Sequence, residues 1–178
     1  MAFFTCGFHM SIIETHLHSQ YISYGFSPRL VAFAFSIYGI AAVLGSIGSG
    51  VLLNYFNHKW VLASIYASRL LIPALLLVLP KTVFLVYVTA FLFGLTGNAT
   101  VPPTSSLIIK EFGPKALGAL FGIAYLFHQF GAFVSSWLGG ILLEVTHSYN
   151  LIWFLAMVLS LSAAGMIAQI SQKEESSI

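Results

Sequence analysis

Charged residues are scarce in this chain of 178 residues, in which Asp, Glu, Lys and Arg together make up 7%. A soluble domain averages about 25% charged residues, so the composition excludes a domain that meets water on all sides. Charge is entirely missing from four long intervals, residues 30–58, 82–109, 116–143 and 145–172. A helix needs about 20 apolar residues to cross roughly 30 Å of hydrocarbon. The missing charges therefore predict an integral, multi-pass membrane protein surrounded by a lipid bilayer.

Cysteine is nearly absent as well, since Cys6 is the one thiol in the sequence and no disulfide can form within the chain. The net charge is only +2, and the basic residues are scattered, which argues against nucleic acid as a partner. No helix carries the two His and adjacent Glu of a metalloprotease, because Glu14 and His18 lack the second His. We expect no metal and no cofactor. Residues 1–8 contain no basic leader, so the first apolar segment is predicted to be a retained helix rather than a signal peptide.

The apolar segments are separated by Gly, Pro and polar turns, and they predict six membrane helices. The fold class is therefore an all-α membrane protein. We expect residues 1–170 to form a single bundle and residues 171–178 a cytoplasmic tail. The predicted helices are residues 3–23, 30–53, 60–79, 83–109, 116–138 and 151–170.

The orientation follows from Lys and Arg, which accumulate in short loops on the cytoplasmic side. With six helices both termini lie on one side of the membrane, and that side is expected to be the cytoplasm. It would hold Lys59, Lys110, Lys115 and Lys173, and the opposite side would hold Arg29 and Lys81.

Small residues recur every four positions on two of the predicted helices. This spacing is typical of helices whose backbones approach closely in lipid, and it is a packing signal more often than a binding signal. The stripes are Ala42, Ser46 and Gly50 on the second helix, and Gly131, Ser135 and Gly139 on the fifth, preceded by Gly118 and Gly122.

Glu14 is the acid at mid-depth in the first helix, where an ionised carboxylate is costly and usually faces a cavity or a partner. His18 follows four residues later, on the same face of an α-helix. The two residues are candidates for proton coupling. The alternative for Glu14 is a hydrogen-bonded acid that holds helices together or reaches water.

Arg69 lies about ten residues into the third helix, too deep for its side chain to reach either surface easily. It is a candidate for binding a substrate carboxylate through two parallel hydrogen bonds. The alternative is a structural role, in which the guanidinium pairs with Glu14 or with carbonyl groups at a helix end.

His128 and Gln129 lie in the middle of the fifth helix, and Asn98 lies beside Gly97 in the fourth helix, before Pro102. All three are candidates for substrate binding, because imidazole and amide groups can donate to and accept from a polar ligand. A broken helix also exposes backbone groups from which transporters build sites. The alternatives are an ordinary hydrogen bond between helices for His128 and a simple kink at Asn98.

Several motifs together resemble a known family. They are Gly25-Phe26-Ser27-Pro28, Gly94-Leu95 with Gly97, Ala99-Thr100-Val101-Pro102, Phe112-Gly113-Pro114, His128-Gln129-Phe130-Gly131-Ala132-Phe133 and Trp137-Leu138-Gly139-Gly140. In this order they are similar to the C-terminal six-helix half of major facilitator superfamily transporters, and most similar to the bacterial monocarboxylate and oxalate/formate branch. The loop signature of the superfamily is degenerate here, with Asn54 and Tyr55 where an acid and a base are expected.

The resemblance implies two three-helix inverted repeats around a site near the middle of the membrane, in the inner membrane of a bacterium. It places Glu14, Asn98, His128 and Gln129 on the lining of that site and Arg69 farther away. The expected function is secondary active transport of a small organic solute, with a monocarboxylate anion as the finer expectation and a proton as one coupling ion. Symport and antiport both remain open.

Six helices are half of what this family uses. The chain is either the product of a truncated or split gene, whose N-terminal half is missing, or a half-transporter that pairs with a second copy. The first is favoured because Met1 directly precedes the first helix. Two other functions stay open. One is an intramembrane serine hydrolase with Ser49 and His128 as its dyad, although we expect the chain not to be an enzyme. The other is a membrane subunit or scaffold that transports nothing.

Overall fold

The computed structural model of the protein describes residues 1–169, which are helical apart from short turns. Within these residues, five helices are long and apolar enough to cross a membrane: Pro28–Leu52, His58–Val78, Val83–Phe112, Pro114–Thr146 and Asn150–Ala168. They follow a first helix over residues 2–23, which is divided into Ala2–Ile12, a π-helical turn at Ile13–Leu17, and His18–Ser23. The predicted all-α architecture with several long apolar helices is confirmed. Residue 170 and the predicted tail 171–178 lie outside the described residues.

The starts of the helices follow from local sequence. Gly25 adopts a positive φ of 87° in the turn after the first helix, a conformation that glycine adopts without steric cost. Ser27 then accepts a hydrogen bond from the Leu30 amide, and Pro28 occupies the first turn of the second helix. Asn57 and Thr82 accept amide hydrogen bonds at the starts of the third and fourth helices in the same way.

Two helices are interrupted near their middle by proline. In the third helix, His58–Ser68 and Leu71–Val78 are separate segments. Pro73 has no N–H to bond the carbonyl of Arg69 four residues earlier, which accounts for the break. The fourth helix changes from α to 3-10 geometry at Asn98–Thr100, immediately before Pro102 and Pro103.

The fifth helix extends further than the sequence pattern predicts. It runs over Leu117–Thr146 and ends at His147, which has a left-handed φ of 51°. The sequence pattern predicts an end at residue 138, before Gly139 and Gly140. Gly139 instead serves packing, because a Cβ there would lie 2.6 Å from the imidazole Nε2 of His16.

The first and fifth helices form one close pair. A Cβ on Gly7 would collide with the backbone carbonyl of His128, and a Cβ on Gly131 would collide with the carbonyl of Phe4. Each helix therefore places a glycine against the backbone of the other. The predicted stripe that begins at Gly131 lies in this contact.

The second and fourth helices form an equivalent pair. Gly45 faces the backbone of Leu95, and Gly94 faces the backbone of Tyr38. The close approach on the second helix is therefore at Gly45, one position before Ser46 of the predicted stripe. Gly50, also in that stripe, makes no such approach, since a Cβ there would meet nothing within 4 Å. The third and sixth helices also pack against each other, and the core around Trp153 fills the space between the pairs.

Candidate functional site

A cavity of about 370 Å³ lies between the first, fourth and fifth helices. Four of the six residues predicted to form the site line it, namely Glu14, Asn98, His128 and Gln129. His18 and Arg69 are not part of its lining among the described residues. Tertiary packing thus brings residues that are up to 115 positions apart in sequence to one cavity between three helices.

The first helix contributes Cys6, Met10 and Glu14 to the cavity wall. They are spaced by four residues, so they lie along one face of an α-helix. The π-helical turn begins at Ile13, and π turns occur often at functional sites. His18, four residues after Glu14, is not part of the described cavity lining, and its ring contacts Phe35 of the second helix with centroids 6.0 Å apart. Of the two predicted proton-coupling residues, Glu14 lines the described cavity and His18 does not, and their role in proton coupling stays a prediction.

The fourth helix presents Gly97, Asn98 and Val101 to the cavity at its 3-10 segment. The Val101 amide bonds to the Asn98 carbonyl, three residues back. The Gly97 carbonyl is therefore not bonded by Val101 in the α-helical pattern. Asn98 itself is exposed at this break, where it meets the cavity.

Arg69 supplies donors to this broken segment. Its Nη2 lies 2.6 Å from the carbonyl oxygen of Thr96 and 2.8 Å from that of Gly97. The side chain is only 2% exposed, and its guanidinium lies over the ring of Tyr66, 5.1 Å from the centroid. Buried donors and acceptors of this kind are costly when unpaired. The geometry is that of the structural alternative, helix-end carbonyls, and the substrate role of Arg69 stays a prediction.

Replacing Arg69 with Met should destabilise the chain by about 1–3 kcal/mol, because two buried carbonyls lose their donor while the cost of a buried charge is relieved. The expected result is a lower thermal unfolding midpoint in detergent. Arg29→Met is the matched control, since Arg29 is exposed beside the start of the second helix, and it should leave the midpoint unchanged. Equal midpoints for wild type and Arg69→Met would show that these hydrogen bonds do not support the fourth helix.

The fifth helix lines the cavity with Tyr125, His128, Gln129 and Ala132. The rings of Tyr125 and His128 are stacked, with centroids 5.0 Å apart and planes within 4°. His128 Nδ1 is buried and has no hydrogen-bond partner among residues 1–169. A nitrogen of this kind in a cavity wall can take a hydrogen bond with a polar ligand. The stack holds the imidazole in a fixed orientation for such a contact.

The cavity wall carries little formal charge. Of the described residues that line it, only Glu14 is an acid and none is Lys or Arg. The one buried cation nearby, Arg69, lies behind the wall on the far side of Cys6 and Gly97.

Sequence reasoning missed Cys6 and Tyr125 as lining residues. Cys6 shares a helical face with Met10 and Glu14, and Tyr125 lies three residues before His128. Helical periodicity taken from the two predicted residues could have found both.

The proposed hydrolase dyad is not assembled among the described residues. Ser49 is a buried residue of the second helix, and its hydroxyl donates to the Ser46 carbonyl at 3.0 Å. It does not belong to the cavity wall that holds His128. A dyad requires the base within hydrogen-bond reach of the nucleophile, and no contact of that kind links the two residues.

Comparison with known proteins gave two findings. Residues 1–176 match the family described as Major Facilitator Superfamily. The chain is also 28% identical over 158 residues to a protein of Bacillus subtilis (strain 168) named "Uncharacterized MFS-type transporter YcxA". The aligned region covers 84% of this chain and 37% of that protein, so the chain corresponds to little more than a third of its relative.

Proposed function

Since this chain belongs to the Major Facilitator Superfamily, we propose that it is part of a secondary active transporter that moves a small organic solute by alternating access. The family predicted from the sequence motifs is the one that matches. The branch, the substrate and the activity of this chain are proposals. The observation that supports transport most directly is the cavity into which Glu14, Asn98, His128 and Gln129 converge from three helices.

A small monocarboxylate that enters with a proton is the solute we propose. The wall offers hydrogen-bonding groups from Asn98, His128 and Gln129, and Glu14 is its one acid. A carboxylate would approach this acid unfavourably unless the acid is protonated. Binding of the anion and of a proton would therefore favour each other, which is the requirement for symport.

Two inverted three-helix repeats are the arrangement we propose for this half. The first helix pairs with the fifth, and the fourth pairs with the second. Exchange of the first helix with the fourth and of the second with the fifth leaves this pattern unchanged. Gly7 against the His128 backbone and Gly94 against the Tyr38 backbone are equivalent contacts under that exchange, which supports the proposal.

A complete site would need a second six-helix half, because transporters of this kind bind solute between two halves. The fifth helix is the most exposed membrane helix, with 6% of its apolar window buried within the described residues. It offers a large surface to such a partner, either an N-terminal half or a second copy. We further propose that both termini lie in the cytoplasm, on the basis of the Lys and Arg distribution, and that the membrane is the bacterial inner membrane, as the family resemblance implies.

The test of transport is uptake of radiolabelled small monocarboxylates into proteoliposomes that contain the purified chain. His128→Ala is expected to lower uptake about tenfold or more, because loss of a hydrogen bond to a charged solute costs about 1.5–3 kcal/mol. His147→Ala is the control, since His147 is exposed at the end of the fifth helix.

Uptake that is equal in the two histidine variants would count against this cavity as the solute path. Absence of uptake by the folded wild-type chain, both alone and after a separate six-helix half is added, would instead favour the remaining alternative, a membrane subunit or scaffold. Uptake restored by adding a separate six-helix half would identify the chain as one part of a two-part carrier.

A further inference from the structure

Aromatic rings form a row along the fifth helix beside the cavity. The row consists of Phe121, Tyr125 and His128, whose adjacent rings are stacked, with centroids 6.4 Å apart for the first two and 5.0 Å apart for the last two. Phe3 of the first helix meets the row edge-on, with its centroid 5.6 Å from that of Phe121 and 6.2 Å from that of His128. The rings of Phe3, Tyr125 and His128 belong to the cavity wall.

The rings and the acid lie at different ends of this wall. The first helix lines the cavity from Phe3 to Glu14, and a helix of this length rises by roughly 16 Å. Phe3 is in contact with the aromatic row, so the rings gather at its end of the cavity and Glu14 lies farther along. The wall therefore has an aromatic end and an acidic end.

The aromatic end has ring surface available to a ligand. Of the hydrophobic side chains in the described wall, the largest are Phe3, Tyr125 and Met10. Rings and thioethers both make contacts with an aromatic ring that are favourable beyond simple area burial. Tyr125 lines the cavity and is 46% exposed, so its ring is not covered by its neighbours. A further ring placed here would extend the aromatic row.

We propose that the solute of this cavity is an aromatic monocarboxylate, whose ring packs against Phe3 and Tyr125 and whose carboxylate binds to His128. The inference rests on the proposed function, because it names the class of solute for the same cavity. The carboxylate accepts a hydrogen bond from Nδ1 of His128, in the tautomer that carries its proton there. This nitrogen is buried and has no partner within the described part of the chain.

The shape of such an acid suits this arrangement. In benzoate the carboxylate is attached directly to the ring, so an acid bonded to the imidazole of His128 brings its ring beside the side chains that adjoin that imidazole. The cavity volume of about 370 Å³ falls within the range of about 300–1,000 Å³ for pockets that hold small organic ligands.

The experiment compares the binding of benzoate and cyclohexanecarboxylate to the purified chain in detergent. Both are anions at neutral pH and carry a ring of the same number of carbons, but only benzoate is aromatic. Equilibrium dialysis of the radiolabelled acids gives the two dissociation constants, after subtraction of their partition into protein-free micelles. We expect benzoate to bind about 2- to 12-fold more tightly, which corresponds to about 0.5–1.5 kcal/mol for an aromatic pair. Burial of apolar area alone predicts no such preference, since the saturated ring has at least as much apolar surface.

Variants of Tyr125 test whether the aromatic row causes the preference. Tyr125→Leu retains an apolar side chain without a ring and should reduce the preference to less than about twofold. Tyr125→Phe retains the ring and should retain the preference. Phe127→Leu is the matched control, because it removes an exposed ring of the same helix that lies outside the described lining, and it should leave the preference unchanged. If Tyr125→Leu does not fold, the two acids still decide on the wild-type chain.

Equal affinities for the two acids, or tighter binding of cyclohexanecarboxylate, would overturn the proposal. So would the absence of binding by either acid, or a preference that Tyr125→Leu retains in full. Binding in detergent requires no transport, so selective binding by a chain that takes up nothing would support the aromatic site although transport fails. Uptake of acetate and other aliphatic acids without preference for benzoate would leave the proposed function in place and overturn this inference.

Discussion

Replacing Gly131 with alanine is expected to force the first and fifth helices apart and to lower the thermal unfolding midpoint in detergent by about 5 °C or more. A Cβ at this position would collide with the backbone carbonyl of Phe4. The obstacle is backbone rather than the end of a flexible side chain, so relief requires movement of a whole helix. In lipid, close packing of helices takes the place of a hydrophobic driving force. Loss of this contact should therefore affect the entire bundle.

Gly122→Ala on the same helix is the matched control for this change. A Cβ there would meet nothing within 4 Å, and alanine is a better helix former than glycine by about 1 kcal/mol. We expect the midpoint of this variant to stay the same or to rise slightly. A similar fall in both variants would mean that the helix needs glycine for flexibility and not for the approach to Phe4.

Glu14→Gln is expected to abolish accumulation driven by a proton gradient while it leaves solute exchange in place. If one proton enters with each monocarboxylate, a gradient of one pH unit supports about tenfold accumulation, because 1.4 kcal/mol corresponds to a factor of ten. Glutamine retains the approximate shape of the neutral acid and can donate and accept hydrogen bonds, but its amide does not ionise. The variant should therefore bring the solute no further than equal concentrations on the two sides. The measurement is uptake into proteoliposomes with an imposed pH gradient, followed by counterflow without one.

Glu144→Gln is the control, because it removes an acidic side chain that lies outside the cavity. Glu144 is exposed near the end of the fifth helix, outside the lining of the cavity, so its variant should accumulate solute as wild type does. Tenfold accumulation by Glu14→Gln would exclude Glu14 as the proton-carrying group. Loss of counterflow together with accumulation would assign Glu14 to solute binding instead.

The relation of Glu14 to His18 shows where sequence reasoning stops. An unbroken α-helix would place the two side chains on one face, which is the basis of the predicted proton-coupling pair. In the structure Glu14 lies in the π-helical turn at Ile13–Leu17 and lines the cavity, whereas the ring of His18 contacts Phe35 of the second helix. Around this turn the first helix is fixed to the fifth by Ser11 and Ser136, whose hydroxyl oxygens are 2.5 Å apart, and by His16, whose Nε2 lies 3.1 Å from the Ser136 carbonyl oxygen. None of these partners is close in sequence.

Arg69 illustrates the same limit for a charged group. Its depth in an apolar segment is sufficient to predict that it needs a partner. The choice between a substrate, Glu14 and helix-end carbonyls depends on which helix packs beside it. The fourth helix breaks at this level, and its Thr96 and Gly97 carbonyls accept from the guanidinium.

The sequence by itself determined that lipid surrounds the helices, that the protein is all-α, and which family it belongs to. Each follows from local information: long intervals without charge require lipid, lipid requires backbone groups to be bonded within each helix, and the motifs at the turns and on the fifth helix identify the superfamily. The tertiary structure alone decided which faces of the helices meet. It set the contact on the second helix at Gly45 rather than along the predicted stripe, placed Cys6 in the cavity wall and moved His18 out of it. The physical reason is that a helix buried in lipid is apolar on every side, so periodicity does not mark its contact face, and only the approach of another backbone selects it.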